Sequence, residues 1–231
     1  MLNPARLLMI GLLCVLCGLP APAQETPAPL PSPTPAPPEA PAPKKANERP
    51  AAFKAAAEPY DAATVAQMAG KCVRLDTEAG EIALELLPEA APESVRNFLN
   101  LAATGAFDTT SFNRVVKGFV VQGGNLSTRE AAVTPQLIAR AGRTVPDEPS
   151  YVKHVRGVVS MARPETPNSA TTHFFILVGD APHLDGTFAA FGRVTGGMEA
   201  VDQINGAPGD GEKPSKPVRL RRASVAPCNP Q

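Results

Sequence analysis

Tryptophan is absent from this chain of 231 residues, and aromatic residues make up only 5% of it. A surface that stacks nucleic-acid bases needs such rings, so their scarcity argues against one. An excess of one charge is missing too. The 22 Lys and Arg balance 22 Asp and Glu, leaving no basic footprint for nucleic acid or an anionic membrane surface. Histidine occurs three times, with no HxxxH spacing and no carboxylate cluster, so no metal site is expected. The apolar run at residues 7–19 is thirteen residues long, short of the ~20 that cross a bilayer. There are only four cysteines, and two of them lie inside that run.

Proline is the residue in excess. Twelve of the 27 prolines lie between Pro20 and Pro50, alternating with Ala, Ser, Thr and Glu. That composition builds no core and favours extended, solvated backbone. Ahead of it, Arg6 precedes the apolar run, and Ala21-Pro22-Ala23 places small residues before Gln24. Residues 1–23 therefore read as a secretory signal cleaved before Gln24, and a periplasmic or secreted protein is expected. Cys14 and Cys17 both follow Leu rather than a small residue, which disfavours a lipid anchor. Cleavage leaves Cys72 and Cys228, at the two ends of the remaining domain. In an oxidising compartment they either form a bridge or remain as two thiols, and their spacing alone leaves both open.

Residues 24–70 are expected to be a disordered Pro/Ala-rich linker, with one weak helix around Val65 and Met68. From residue 71 the pattern is that of a folded domain running to 228. Val73 and Leu75 alternate with Arg74 and Asp76, a turn follows, and Ile82, Leu84 and Leu86 alternate again, which predicts a hairpin over 72–86. Pro92 opens a helix whose Val95, Phe98, Leu99 and Ala102 share one face before Gly105 stops it. Apolar strands are predicted near 111–115, 119–122, 157–161, 174–178, 188–194 and 218–225, with a second helix carrying Met198, Val201 and Ile204. The segment 126–151 reads as a long loop, and His154 as an exposed loop residue. The expected class is mainly β: a closed antiparallel barrel with helical lids.

The segment FNRVVKGFVVQGGN, residues 112–125, carries the chemistry. It holds a fixed cation, an amide and an apolar wall, but no nucleophile, general base or metal-ligand pair. Rotation about a prolyl peptide bond needs only those parts. The barrier of ~18–20 kcal/mol comes from partial double-bond character, and twisting the bond frees a lone pair on the proline nitrogen. A donor aimed at that nitrogen favours the twisted state over both planar ones.

This segment resembles the signature of the cyclophilin family of peptidyl-prolyl isomerases. Three further blocks agree in the same order: GVVSMAR (157–163), PNSATTHFFI (167–176) and HLDGTFAAFGRV (183–194). The resemblance, which is to a bacterial, exported member, implies an eight-stranded barrel closed by two helices. It makes Arg114 the catalytic arginine and Gln122 the glutamine that orients it. Phe119, Phe175 and Leu184 match the apolar proline pocket, and Ala162 with the backbone of Arg163 matches the edge that holds the substrate extended. Departures from the family pattern lie in the same site. Asn113 stands where His is usual, Val120 where Met is common, His173 for Gln, His183 for Trp and Phe188 for His. Activity is expected to survive these changes, with weaker binding of cyclosporin-type inhibitors. His173 is read as a hydrogen-bonding replacement with mild pH sensitivity near pH 6–7. No cofactor is implied. Proline-containing polypeptides are the implied partners, with no nucleic acid, no retained membrane span and a monomeric state. The alternative is a module that grips proline segments, or a holdase, without turnover.

Overall fold

The structure, a computed structural model, describes residues 57–228. The expected signal segment, the proline-rich arm and its disorder lie outside the described residues. Residues 57–70, assigned to the linker by composition, instead pack on the domain. Thr64 opens a short helix, α1 (Val65–Met68), through a reciprocal cap: its side chain accepts the Gln67 amide, and the Gln67 side chain accepts the Thr64 amide. Met68 is fully buried in the main core.

The predicted hairpin is β1 (Lys71–Thr77) and β2 (Gly80–Leu86), with Val73, Leu75, Ile82 and Leu84 turned inward. α2 (Pro92–Ala103) follows, its apolar face buried as its spacing requires. No side chain caps it from its own N-terminal residue. Glu148 does so from afar, accepting the amides of Glu93 and Ser94 at 2.8 Å each. The chain continues through β3 (Ser111–Phe112), β4 (Arg114–Val116), β5 (Val120–Gly123), α3 (Pro135–Ala141), β6 (Val158–Met161) and β7 (Phe174–Leu177). It ends with β8 (Ala190–Gly196), α4 (Met198–Gly206), a small ribbon of β9 (Gly209–Asp210) and β10 (Lys213–Pro214), and β11 (Val218–Pro227).

Nine strands make one antiparallel sheet in the order β3-β11-β1-β2-β8-β6-β7-β5-β4. Its two edge strands, β3 and β4, are separated in sequence by Asn113 alone. The chain itself therefore nearly closes the sheet into a barrel. Counted as one bent strand, β3 and β4 give the eight expected strands, and α2 and α4 are the two expected helices. The helices α1 and α3 are additional. Five phenylalanines fill the interior: Phe98 from α2 lies 5.1, 5.2 and 4.9 Å, ring to ring, from Phe107, Phe174 and Phe191, and Phe112 meets Phe174 at 6.1 Å.

The expected loop at 126–151 is only partly irregular, because residues 126–128 form a 3₁₀ turn and α3 follows. What orders it is a long-range ion pair. Arg140 on α3 is 9% exposed, and its Nε donates to both carboxylate oxygens of Glu58 at 2.7 and 2.9 Å. Its Nη2 donates to the Asn97 side chain on α2 at 2.7 Å.

Cys72 and Cys228 are bridged, closing a separation of 156 residues. Beside the bridge the Cys228 amide donates to the Gly70 carbonyl at 2.9 Å, and β1 and β11 are paired throughout. Replacing both cysteines by serine is expected to cost about 2–4 kcal/mol, the usual value for a native bridge. Thermal denaturation should read this as a drop of roughly 10 °C in Tm for a domain of this size. An unchanged Tm would show that strand pairing alone holds the two ends.

Candidate active site

Strand register assembles the site. Across the outer face of the sheet, Arg114 lies opposite Gln122, Gln122 opposite Phe175, Phe175 opposite Ser160 and Ser160 opposite Ala190. Alternation along β7 sends Phe174 and Ile176 into the barrel, and Phe175 and Leu177 to the outer face. There they form a second apolar cluster with Val120, Val158, Ala181, Leu184 and Ala190. Gly124 lets β5 leave the sheet tightly at φ 83°, since a Cβ there would meet the Thr172 carbonyl oxygen at 2.2 Å.

A cavity of about 140 Å³ opens over the Arg114, Gln122 and Phe175 end of this row. Its apolar walls are Phe119, Val120, Phe175, Leu184 and Phe188, while Arg114 and Gln122 are its polar members and Ala162 and Arg163 its edge. Nine of the twelve substrate and catalytic residues read from the sequence thus meet in one place. A neighbouring polar cavity of about 390 Å³ shares Arg114, Gln122, Ala162 and Arg163, and adds Ser169, Thr171 and His173. His173 accordingly sits beside the small cavity, not in it. Its partial burial pushes its pKa below 6.5, so the ring is neutral at pH 7 and the expected pH sensitivity moves downward. His183 is exposed and reaches the site only through its ring, 5.6 Å from that of Phe119. Asn113 lines neither cavity. It occupies the corner between β3 and β4, with Oδ1 buried and lacking a hydrogen-bond partner among the described residues.

Arg114 is held from two sides. Its Nη1 donates to Gln122 Oε1 at 3.2 Å, while Nε and Nη2 donate to the two carboxylate oxygens of Glu212 at 2.6 and 2.8 Å. The Arg114 guanidinium in turn lowers the Glu212 pKa, keeping the carboxyl ionised at neutral pH. Glu212 was invisible to sequence reading. It lies 98 residues from Arg114 in the chain, and only the fold joins them. The Arg163 side chain was also missed, the sequence pointing only to its backbone. Its guanidinium carbon stands 5.1 Å over the Phe188 ring, and its Nε is 3.1 Å from Asp147 Oδ1.

His154, expected to be exposed, is 1% exposed. The carboxylate of Asp185 explains the burial. It accepts the His154 amide at 2.8 Å and lies 3.2 Å from Nδ1, while Nε2 is 3.0 Å from Ser160 Oγ. The His154 amide and then the Lys153 ammonium hold the Asp185 pKa down at about 2. The order serine–histidine–carboxylate imitates a nucleophilic triad. Ser160 is fully buried and lines neither cavity, so the trio fastens the 182–185 turn that carries Leu184.

The model of the cyclophilin-type peptidyl-prolyl cis-trans isomerase family matches residues 72–225, the whole barrel. This chain belongs to that family. A probable peptidyl-prolyl cis-trans isomerase of Brucella suis is 35% identical over 159 residues, covering 66% of this chain and 81% of the relative. Peptidyl-prolyl cis-trans isomerase-like 3 of Gallus gallus is 40% identical over 149 residues, covering 63% and 88%. Among solved structures, a Cryptosporidium parvum cyclophilin determined in the presence of the dipeptide Ala-Pro superposes with a TM-score of 0.59 at 29% identity, covering 67% of this chain and 98% of that one. The cyclophilin barrel is thus the scaffold, and isomerases of proline-containing peptides are its relatives. Among the described residues no helix is long and apolar enough to cross a membrane, and no three His, Cys, Asp or Glu gather as a metal site.

Proposed function

We propose that this cyclophilin accelerates rotation about X–Pro bonds in exported polypeptides, with Arg114 stabilising the twisted amide. The single observation that carries this reading is the placement of Arg114 at the mouth of an apolar cavity of about 140 Å³. The proline ring enters between Phe119, Phe175, Leu184 and Phe188, and leaves water behind. The Ala162 amide donates to the His173 carbonyl at 3.0 Å, so the next residue turns the other way, and the backbone N–H and C=O of Arg163 pair with the substrate strand. The prolyl nitrogen then faces the free N–H groups of Arg114. As the bond twists, its lone pair localises and accepts from the guanidinium. Arginine is suited to this because it stays protonated and its donors form a rigid fork. Neither planar isomer offers that acceptor, so the interaction is selective for the transition state. No bond breaks, and no proton needs to move.

Export is supported by the signal-like residues 1–23 and by the Cys72–Cys228 bridge, which belongs in an oxidising compartment. The test is an exchange assay on a proline-containing peptide with the purified chain. Acceleration over the uncatalysed exchange, which takes about tens to hundreds of seconds, supports the isomerase. Peptide binding without acceleration would favour the gripping module instead. Cell fractionation with a thiol count tests the compartment, and two free thiols in a cytoplasmic fraction would reject it.

A further inference from the structure

We propose that Glu212 is a positioning residue that sets the plane of the Arg114 guanidinium, so that its two unengaged N–H groups face the proline nitrogen. The inference rests on the isomerase reading above. An arginine on a short strand has four side-chain torsions and about 2 kcal/mol of rotamer entropy to lose. The bond from Nη1 to Gln122, at 3.2 Å, is a single point about which the fork can pivot. Two parallel bonds from Nε and Nη2 to one carboxylate remove that freedom, because they fix a plane. Three of the five guanidinium N–H groups are then engaged. The two remaining are one on each terminal nitrogen.

The carboxylate is delivered by backbone geometry rather than by chance. β9 and β10 pair as a ribbon whose tip turns through Gly211, at φ 55°, into Glu212. The Val115 amide donates to the Glu212 carbonyl at 2.8 Å, fastening this tip to β4 one residue from Arg114. Stability is a poor account of the pair. The side chains are 39% and 55% exposed, and exposed ion pairs contribute little to folding. The carboxylate does weaken the positive field at the cavity, but water on this exposed flank screens that effect more than it disturbs the hydrogen-bond geometry. Orientation wins.

Glu212→Ala is expected to lower kcat about tenfold, short of the roughly hundredfold that a 1 Å misplacement can cost, with KM within about twofold of the parent. Glu212→Gln, which keeps one acceptor, should fall between the two. In ¹⁵N NMR the Arg114 Nε–H should exchange slowly in the parent and rapidly in Glu212→Ala, with backbone resonances outside the ribbon unmoved. A Glu212→Ala protein that turns over at the parent rate or faster overturns the proposal. If that variant fails to fold, Glu212→Gln decides on the same terms. Failure of the isomerase reading looks different, because the parent itself would then give no acceleration. In that event the exchange of the Arg114 Nε–H still decides whether Glu212 holds the fork.

Discussion

Arg114→Ala is expected to lower kcat/KM by about 10²–10³-fold, the usual effect of removing one preorganised donor from a transition state, equivalent to about 3–4 kcal/mol. The loss should fall on kcat, since the apolar walls proposed to bind the proline ring are untouched. Circular dichroism and Tm should stay close to the parent, because the Arg114 side chain is 39% exposed and lies outside both apolar clusters. Arg114→Lys keeps the charge but offers a point donor in place of a fork. It cannot engage Glu212 and Gln122 and still face the substrate, so most of the loss should persist. A peptide exchange assay measures both variants. Parent-like turnover in Arg114→Ala would falsify the assigned mechanism.

The second large effect concerns the fold. Phe98 is fully buried and touches three other phenylalanine rings within 5.2 Å. Phe98→Ala removes the centre of that cluster and leaves a cavity between α2 and the barrel strands. The expected cost is about 3–5 kcal/mol. Set against a total stability of about 5–15 kcal/mol, this is a large share of what holds the domain together. Urea unfolding should show a lower midpoint with a similar slope. A loss under about 1 kcal/mol would mean that neighbouring rings collapse into the space.

Local patterns carried much of this molecule. The alternation at Val73 and Leu75, and again at Ile82 and Leu84, gave a hairpin, because each strand buries a single face. The helix at Pro92 followed from the spacing of Val95, Phe98, Leu99 and Ala102. Four sequence blocks carried the site, since strand register converts Arg114, Gln122 and Phe175 into neighbours. What escaped depends on partners distant in sequence. Arg140 orders α3 only because Glu58, outside the expected domain, reaches it. His154 is buried because Asp185 and Ser160 satisfy it. Glu212 gains meaning only when the ribbon tip lands on β4. A single residue at the tip of a two-strand ribbon, between Gly211 and Lys213, carries no periodic signal from which its role could be read.

The corner at Asn113 has a consequence for a protein proposed to handle extended polypeptide. The sheet's two outermost strands, β3 and β4, are two and three residues long and are joined by that one residue. A free sheet edge offers a row of unpaired main-chain groups on which any passing strand can add, and from which aggregates grow. Here the edges end in each other. The edge proposed to grip clients, at Ala162–Arg163, is separate from this corner, and the barrel ends in no long strand on which they could accumulate.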